Sequence, residues 1–361
     1  MNKKEENSFF INERKIGLNY PTYFIAEIGS NFDGDINRAK DLIYLAKENG
    51  AEAAKFQHYN AASLVSDFGF KSLKGLDSHQ SNWKLSVFET YKKASLNKEW
   101  TAELKSTCDE IGIEFITSPY SIELIDYVNK YVNAFKVGSG DITWLESIEH
   151  MASKKKPMIL ATGASNEEEV LLAVRSIEMF TKDIVLMQCN TNYTANKKNL
   201  KFLNLNVLKR YQELFPNIVL GLSDHTLSSV SVLGAVTLGA RVIEKHFTDN
   251  NKRIGPDHSF ALDIKAWKEM VDRTRELEES LGTEIKKIES NESETVILQR
   301  RCIRASRVIK AGEQLTKENL EFLRPCPKNG LAPYLFEKIQ GKHTVLDIKK
   351  GDIIRHEDLK S

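Results

Sequence analysis

Long apolar runs are missing from the 361-residue sequence: no stretch reaches the roughly 18 residues that a membrane-spanning helix requires. Its first residues, MNKKEENSFF, also lack the apolar segment of a secretory signal peptide. Neither charge sign dominates, because 51 basic residues meet 50 acidic ones and leave a net charge of +1. We therefore expect no membrane and no nucleic-acid partner, and only local charge is left to capture a small anionic substrate.

Cysteine is scarce and shows no pattern. The four cysteines, Cys108, Cys189, Cys302 and Cys326, have no CxxC or repeated spacing. This usage favours reduced thiols in a cytoplasmic protein. It also disfavours a closed structural zinc site, which would need four ligands.

Short apolar runs alternate with longer amphipathic segments along most of the chain. The runs are continuous, as is typical of strands buried on both faces of a parallel sheet. They lie at residues 23–29, 51–57, 113–118, 133–139, 157–163, 183–190, 217–224 and 241–247. Eight strand–helix units predict an α/β fold of the (β/α)8 TIM-barrel type. A doubly wound sheet is the alternative, but EIGSNFDGD after the first run lacks the GxGxxG fingerprint.

The domain organisation follows from where this pattern starts and stops. We expect an N-terminal extension (1–22), the barrel (23–283), a charged linker (284–297) and a small β-rich domain (298–361). In the last part, IKAGEQLTKENLEFLRP and IKKGDIIRHEDLKS resemble each other, each with a glycine turn before a polar cap. A domain this small has a limited core, so docking on a partner is expected. The long insertion at 58–97 is expected near the mouth of the site.

Polar side chains end nearly every predicted strand. In a (β/α)8 barrel, the carboxyl ends of the strands meet at one face and carry the active site. One polar strand end is usually structural, whereas a set from all eight strands indicates a site. The set is Glu27, Lys55, Gln57, Ser118, Lys136, Ser139, Asp141, Thr162, Asn190, Thr191, Tyr193, Ser223, Asp224, His225, Glu244 and His246.

Two of these strand ends carry histidines, and they predict a metal site. His225 alone fits a hydrogen-bonded loop residue, but His246 ends an apolar run where an unpartnered imidazole is costly to bury. Adjacent strands bring their ends within reach of one divalent ion, and two imidazoles leave positions for water and substrate. Asp224 and Glu244 are candidate supporting or acid–base groups.

Two lysines, Lys55 and Lys136, interrupt apolar strands and predict an anion site. An ammonium group directed into the barrel mouth calls for a phosphate, a carboxylate or both. Hydroxyl groups from Ser118, Ser139, Thr162 and Ser223 would add donors. One lysine as a Schiff-base nucleophile is an alternative. The predicted metal site at His225 and His246 disfavours this alternative, because a metal ion and an imine are two different ways to polarise the same carbonyl group.

Several motifs together resemble those of the sialic acid synthase family, the phosphoenolpyruvate-condensing enzymes that make nine-carbon sugar acids. The motifs are FIAEIGSNFDGD, AAKFQ, FKVGSGD, LATGAS, GLSDHT, GARVIEKHFT and GPDHSFALD. The segment AGEQLTKENLEFLRP resembles the antifreeze-like (SAF) domain that ends these synthases. The resemblance implies a barrel and a SAF domain exchanged across a homodimer.

The resemblance also implies roles for individual residues. His225 and His246 would bind Mn²⁺, with Mg²⁺ or Co²⁺ as alternatives. Phosphoenolpyruvate would lie among Lys55, Ser118, Lys136, Ser139 and Ser223, and Glu27, Gln57, Tyr193 and Asp257 would line the metal and sugar side. The expected catalytic groups are Glu27, Lys55, Lys136, Asp141 and Glu244, and Thr162 and Thr191 join the expected substrate-binding groups. Arg324 would reach the partner's site and meet the N-acyl group.

Three positions depart from the family pattern and are expected to border the sugar. Phe32 stands where the family often has histidine, GSGD has aspartate where GSGE is usual, and Gln188-Cys189-Asn190 replaces an HCT segment. The motif GPDHSF favours the sialic-acid branch over the pseudaminic-acid branch.

The expected reaction joins phosphoenolpyruvate to the open-chain aldehyde of an N-acyl hexosamine, such as N-acetylmannosamine, and releases phosphate. Pseudaminic or legionaminic acid synthesis, and a synthase acting on a phosphorylated sugar, are alternatives within the enzymes. A carbohydrate-binding or ice-binding protein is the alternative outside them. A metal hydrolase barrel is disfavoured, because the first strand lacks an HxH motif.

Overall fold

The computed structural model describes residues 8–73, 80 and 83–360 of the chain. The chain divides between Gly282 and Thr283 into two compact units. Across the described ranges, no helix is both long and apolar enough to cross a membrane.

A closed parallel barrel forms the first unit and confirms the predicted (β/α)8 fold. In the described chain its strands follow the order β10-β3-β4-β5-β6-β7-β8-β9. They are β3 (Tyr23–Glu27), β4 (Ala53–His58), β5 (Glu114–Pro119), β6 (Phe135–Val137), β7 (Met158–Ala161), β8 (Ile184–Cys189), β9 (Val219–Asp224) and β10 (Ala240–His246). Each lies within, or within one residue of, a predicted apolar run, because buried parallel strands keep both faces apolar.

Helices alternate with these strands. They are α1 (Ile36–Glu48), α2 (Ala61–Leu64), α3 (Asp67–Ser72), α4 (Val87–Ala94), α5 (Thr101–Ile111), α6 (Ile122–Val128), α7 (Leu145–Ala152), α8 (Glu167–Glu178), α9 (Val207–Leu214), α10 (Val230–Thr237) and α11 (Ile264–Leu281). Local sequence sets their ends. The Asn166 side chain and Glu169 form a capping box at the start of α8, and Gly112, with φ of 68°, ends α5 in the left-handed region.

The barrel has two hydrophobic layers, and alternation along the strands separates them. One set of side chains packs between strands and helices, as Phe24, Phe56 and Phe115 do. The other set, with Ile25 and Ile116, fills the inside of the barrel. Because successive side chains of a strand point to opposite faces, residues two apart share a layer.

An antiparallel hairpin contributes to the inner layer. It is formed by β1 (Ser8–Ile11) and β2 (Arg14–Gly17), with Phe9 opposite Ile16. The side chains of Phe9, Ile11 and Ile16 are buried in the same cluster as the inward residues of the barrel strands. This hairpin is the described part of the predicted N-terminal extension, whose residues 1–7 lie outside the described chain.

The second unit is a small β-rich domain, as predicted. It contains α12 (Ser293–Gln299), β11 (Cys302–Ala305), β12 (Leu320–Leu323) and α13 (Phe336–Ile339). Strands β11 and β12 pair in antiparallel register, and isolated bridges such as Ile309 to Ile348 extend the β structure. Its own core includes Ile303, Ile309, Leu315, Ile348 and Ile354.

Candidate active site

A cavity of about 330 Å³ opens at the carboxyl ends of the barrel strands. Alternation places its polar floor: on β4, Ala53 belongs to the inner apolar layer and Lys55 follows two residues later. On β10, Val242 is in the same layer, and Glu244 and His246 follow at the same spacing. The predicted residues lining the cavity are Glu27, Lys55, Gln57, Ser118, Lys136, Ser139, Asp141, Tyr193, Ser223, His225, Glu244, His246 and Asp257.

Two lysines and two glutamates form a buried ionic cluster in the cavity. Lys55 Nζ donates to Glu27 Oε2 at 2.5 Å and lies 3.4 Å from Glu244 Oε1. Lys136 Nζ also lies 3.4 Å from Glu244 Oε1. Gln57 Nε2 donates to the second oxygen of Glu27 at 2.5 Å. The cluster sets two buried lysines against two buried glutamates, so each ammonium group has a nearby counter-charge.

Burial and the partner charges set the protonation of this cluster. Burial would lower the pKa of Lys55, but the carboxylates of Glu244 and Glu27 outweigh it and raise that pKa above its ordinary value. Burial lowers the pKa of Lys136 despite Glu244. Burial raises the pKa of Glu27, whereas Lys136 and Lys55 overcome burial and lower the pKa of Glu244. The pKa values of the two carboxyl groups are therefore shifted in opposite directions, and Glu27 holds a proton more readily than Glu244.

The two histidines meet beside this cluster, where the neighbouring strands β9 and β10 end. The ring centroids of His225 and His246 are 5.5 Å apart, and Tyr193 lies against His225 with centroids 4.3 Å apart. His225 Nδ1 lies 2.8 Å from the carbonyl oxygen of Asn190. A carbonyl only accepts, so Nδ1 carries the hydrogen and Nε2 keeps its lone pair. Burial lowers the pKa of both imidazoles, which keeps them in the neutral form that binds metals.

Three buried polar atoms of the cavity have no hydrogen-bond partner among the residues that the structure describes. They are Ser118 Oγ, Glu244 Oε2 and His246 Nδ1. Buried polar atoms are normally paired, and leaving one unpaired costs about 1–3 kcal/mol. All three lie in the one cavity where a ligand would pair them. The donor set thus fits a divalent ion at the imidazoles and an anion near the lysines. Among the residues that the structure describes, no group of three or more His, Cys, Asp or Glu side chains could hold an ion, so water and substrate would complete the coordination.

Asp257 enters the cavity from the loop after β10. Its Oδ2 accepts the backbone N–H of Ser30 at 2.9 Å, and burial raises its pKa. A Cβ atom at Gly29 would lie 2.6 Å from Asp257 Oδ2, so glycine is needed for this approach. Gly29 also has φ of 53°, in the left-handed region that glycine adopts at no steric cost.

Charged contacts brace the same loop. Arg38 donates to both carboxylate oxygens of Asp249, at 2.7 and 2.6 Å. Asp33 lies 2.9 Å from His258 Nε2 and accepts from Arg253 Nε at 3.0 Å. These pairs tie the loop to the segment after β3, which positions Asp257.

Aromatic and apolar residues of the insertion, with Tyr120 and Phe260, form the outer wall of the cavity. Tyr59 packs edge-on against Tyr91 and Tyr120, with ring centroids 5.5 and 6.1 Å apart. The wall also includes Leu64, Val65, Phe70, Gln80, Trp83, Thr90 and Ala94. The insertion was expected near the mouth, but these residues were not individually predicted. Tyr59 directly follows β4, which is the one signal that points to it; Ser81 and Asn82 lie outside the described chain.

Several predicted residues lie elsewhere. Thr162 faces outward, since its hydroxyl donates to Met187 O and accepts from Tyr211. Thr191 is half-buried next to Gly163 but does not line the cavity. Asp224 also points outward, where its carboxylate accepts from Lys245 at 2.6 Å. Arg324 is exposed in the second unit.

The three departures from the motif pattern are only partly at the site. Asp141 lines the cavity, and burial raises its pKa. Phe32 is buried in the outer core against Phe56 and Trp100, so the expectation that it borders the sugar is wrong. Gln188 and Asn190 donate to Leu203 O and Phe202 O and brace the following loop instead.

Together, the barrel, the lysine–glutamate cluster and the two imidazoles define a candidate enzyme active site at the carboxyl ends of the strands. The NeuB family model matches residues 42–286, and the SAF domain model matches residues 300–360. The chain belongs to the NeuB family and ends in a SAF domain.

Named relatives cover nearly the whole chain. The chain is 33% identical to the N,N'-diacetyllegionaminic acid synthase of Legionella pneumophila, covering 96% of each chain. It is 31% identical to the N-acetylneuraminate-9-phosphate synthase of Mus musculus, covering 96% of this chain and 95% of that one. The crystal structure of N-acetylneuraminic acid synthetase from Leptospira borgpetersenii, in complex with citrate, superposes with a TM-score of 0.70 at 26% identity, covering 81% and 95%. The family is one of acid synthases, so the chain is an enzyme rather than a carbohydrate-binding or ice-binding protein.

Proposed function

We propose that this enzyme condenses phosphoenolpyruvate with the open-chain aldehyde of an N-acyl hexosamine, forming a nine-carbon sugar acid and phosphate. One observation carries the proposal: a buried pair of lysines and a pair of neutral imidazoles line the same cavity. The lysines suit an anionic phosphate ester, and the imidazoles suit the carbonyl partner.

Phosphoenolpyruvate binds at the ionic cluster in this proposal. Lys55 and Lys136 face its phosphate and carboxylate, and the unpaired Ser118 hydroxyl supplies a further donor. Ser139 and Ser223 line the same part of the cavity. Charge-assisted hydrogen bonds of this kind are about twice as strong as neutral ones, so the anion is both held and oriented.

In this proposal, the sugar aldehyde binds beside His225 and His246. His225 and His246 would hold a divalent metal ion, Mn²⁺ before Mg²⁺ or Co²⁺, which when bound supplies Lewis-acid polarisation of the aldehyde oxygen. The Asn190 carbonyl orients His225 so that its free Nε2 is the ligand atom. Tyr193, Gln57 and Asp257 line the space beside the rings and position the sugar.

Bond making and breaking follow from these positions. The methylene carbon of phosphoenolpyruvate attacks the aldehyde carbon, and the aldehyde oxygen takes up a proton and becomes a hydroxyl. Water adds to the enol carbon and loses a proton. The added hydroxyl then becomes the ketone of the product as the carbon–oxygen bond to phosphate breaks. Glu27, whose pKa is raised by burial, accepts the proton that the attacking water loses. Lys55 and Lys136 stabilise the charge that develops on the departing phosphate. Glu244 keeps both ammonium groups in place through its 3.4 Å contacts.

The proposal includes the assembly. Arg324 of the second unit contacts the N-acyl group in the partner's site of a homodimer with exchanged domains, and the enzyme works in the cytoplasm. The support is the motif resemblance, the exposure of Arg324 and the four free cysteines.

Incubation with phosphoenolpyruvate, Mn²⁺ and a panel of acceptors tests the function. The panel contains N-acetylmannosamine, its 6-phosphate and the diamino-sugar precursors of legionaminic and pseudaminic acids. Phosphate release and product mass are measured. Release with N-acetylmannosamine supports the proposal as stated. Release only with a diamino sugar assigns the chain to the legionaminic or pseudaminic alternative, which the 33% identical relative favours. No phosphate from any acceptor contradicts the reaction.

A further inference from the structure

Two cysteines that the proposed reaction does not use lie together in the second unit. Cys302 begins β11 and is buried, and Cys326 is half-buried in the segment after β12. They are 24 positions apart in sequence, but both thiols converge on Gly330. Cys326 Sγ lies 3.7 Å from the Gly330 carbonyl oxygen, and Cys302 Sγ lies 3.2 Å from the point where a Cβ atom of residue 330 would be.

Glycine at position 330 leaves room beside the side chain of Cys302. A Cβ atom there would also lie 3.1 Å from Cys302 Cβ, so any other residue would press on that cysteine. The proximity of the thiols also affects their chemistry. Burial raises the pKa of Cys302, Arg304 opposes this rise, and the neighbouring Cys326 adds to it. Cys326, being partly exposed, is the thiol that a reagent in solution reaches first.

We propose that Cys302 and Cys326 form a reversible modification site that is converted to an internal disulfide by a low-molecular-weight disulfide. The Cys326 thiolate attacks one sulfur of the small disulfide, forming a mixed disulfide and releasing one small thiol. The Cys302 thiolate then attacks the Cys326 sulfur and releases the second small thiol. Two electrons pass from the protein to the reagent, and the two protons leave with the released thiols.

Oxidation at this site changes the hold on the segment that carries Arg324. In the reduced state the carbonyl oxygen of Pro325 accepts two donors, the Cys302 thiol at 3.3 Å and Arg304 Nη2 at 2.5 Å. Disulfide formation removes the thiol donor and joins Cys302 covalently to Cys326. Arg324, adjacent to Pro325, is thereby repositioned. If Arg324 contacts the acceptor as proposed above, oxidation raises KM for the sugar and leaves KM for phosphoenolpyruvate unchanged.

The test uses the full-length reduced protein, oxidised glutathione as the reagent, and alkylation with iodoacetamide under denaturing conditions. We expect the wild-type chain to lose two of its four alkylatable thiols and to yield a peptide pair joined through Cys302 and Cys326. Reduced glutathione should restore all four. Cys326→Ser, at a partly exposed position, is the matched control and should keep Cys302 fully alkylatable.

Three results would overturn the proposal. They are glutathione that stays on Cys326 without conversion, a bond between Cys326 residues of two chains, or no change in the number of alkylatable thiols. This readout is independent of catalysis, so it separates the failure of the thiol site from a failure of the proposed reaction. An unchanged KM for the sugar in a chain with the disulfide formed would remove only the link to Arg324.

Discussion

Replacing Glu244 by glutamine removes one carboxylate from the ionic cluster and keeps the shape of the side chain. In the wild-type cavity, Glu27 and Glu244 balance Lys55 and Lys136. Lys55 keeps its 2.5 Å contact with Glu27 in the variant. Within the described ranges, Lys136 has no other carboxylate in ion-pair range, and its remaining contact is the Val137 carbonyl at 3.3 Å.

The magnitude follows from an ammonium group left buried without a counter-charge. Removing one partner of a buried ion pair costs about 3–5 kcal/mol. The amide oxygen still accepts a hydrogen bond, so we expect the lower end, about 3 kcal/mol. For a domain of this size each 1 kcal/mol lowers the thermal midpoint by about 2–4 °C. Glu244→Gln should therefore lower the melting temperature by about 6–12 °C.

Thermal denaturation followed by circular dichroism measures this change. Glu269→Gln is the matched control, because Glu269 pairs with Arg273 on the exposed surface of α11 and such pairs contribute less than about 1 kcal/mol. Inorganic phosphate should stabilise Glu244→Gln more than the wild type. In the variant, Lys55 and Lys136 share a single carboxylate, that of Glu27, so an added anion supplies the missing negative charge. Equal melting temperatures for Glu244→Gln and Glu269→Gln would refute the ionic-cluster argument.

Other predictions test the proposed metal-binding histidines, the proposed contact of Arg324 with the sugar, and the Arg38–Asp249 ion pair. His225→Ala or His246→Ala should abolish phosphate release while the circular dichroism spectrum stays unchanged, and a chelator should do the same to the wild type; turnover that survives either change contradicts the metal role. Arg324→Ala should raise KM for the sugar several-fold with little effect on phosphoenolpyruvate, and unchanged kinetics would rule out its role. Arg38 holds the pKa of Asp249 at about 2, below its unfolded value, so this pair stabilises the fold above about pH 4 and that contribution is lost as pH falls through 2. Asp249→Asn should cost about 1–2 kcal/mol at pH 7, and the cost should shrink as pH falls towards 2 and vanish below it, as measured by urea unfolding; a pH-independent difference would contradict the pairing.

The barrel and most of its polar floor could be predicted because both depend on local patterns. Continuous apolar runs marked the strands, and the side chains at their carboxyl ends gathered in one cavity. The alternation of side chains between the two faces of each strand would have shown which of the predicted site residues point away from the cavity. Thr162 follows Leu160, and Asp224 follows Leu222, at the spacing that packs outward against the helices. Both were therefore predicted on the wrong face.

The outer wall could not be predicted in the same way. Tyr59 and Trp83 both pack against Tyr91 of α4, and no periodicity in the sequence specifies these contacts. Phe32 was misplaced for a related reason, because a motif position indicates where the backbone runs and not which way the side chain points. The role of Arg324 remains a prediction, since it depends on a second copy of the chain.

The β1–β2 hairpin has a consequence for the chemistry at the far end of the barrel. Phe9, Ile11 and Ile16 pack with the inner residues of the barrel strands and add apolar bulk to the interior of the barrel. An apolar barrel interior below the cavity keeps the local dielectric constant low, which strengthens the charge interactions of the lysines and glutamates above it. Removing the β1–β2 hairpin would open the interior of the barrel to solvent and weaken the binding of an anion, although neither strand lines the described cavity.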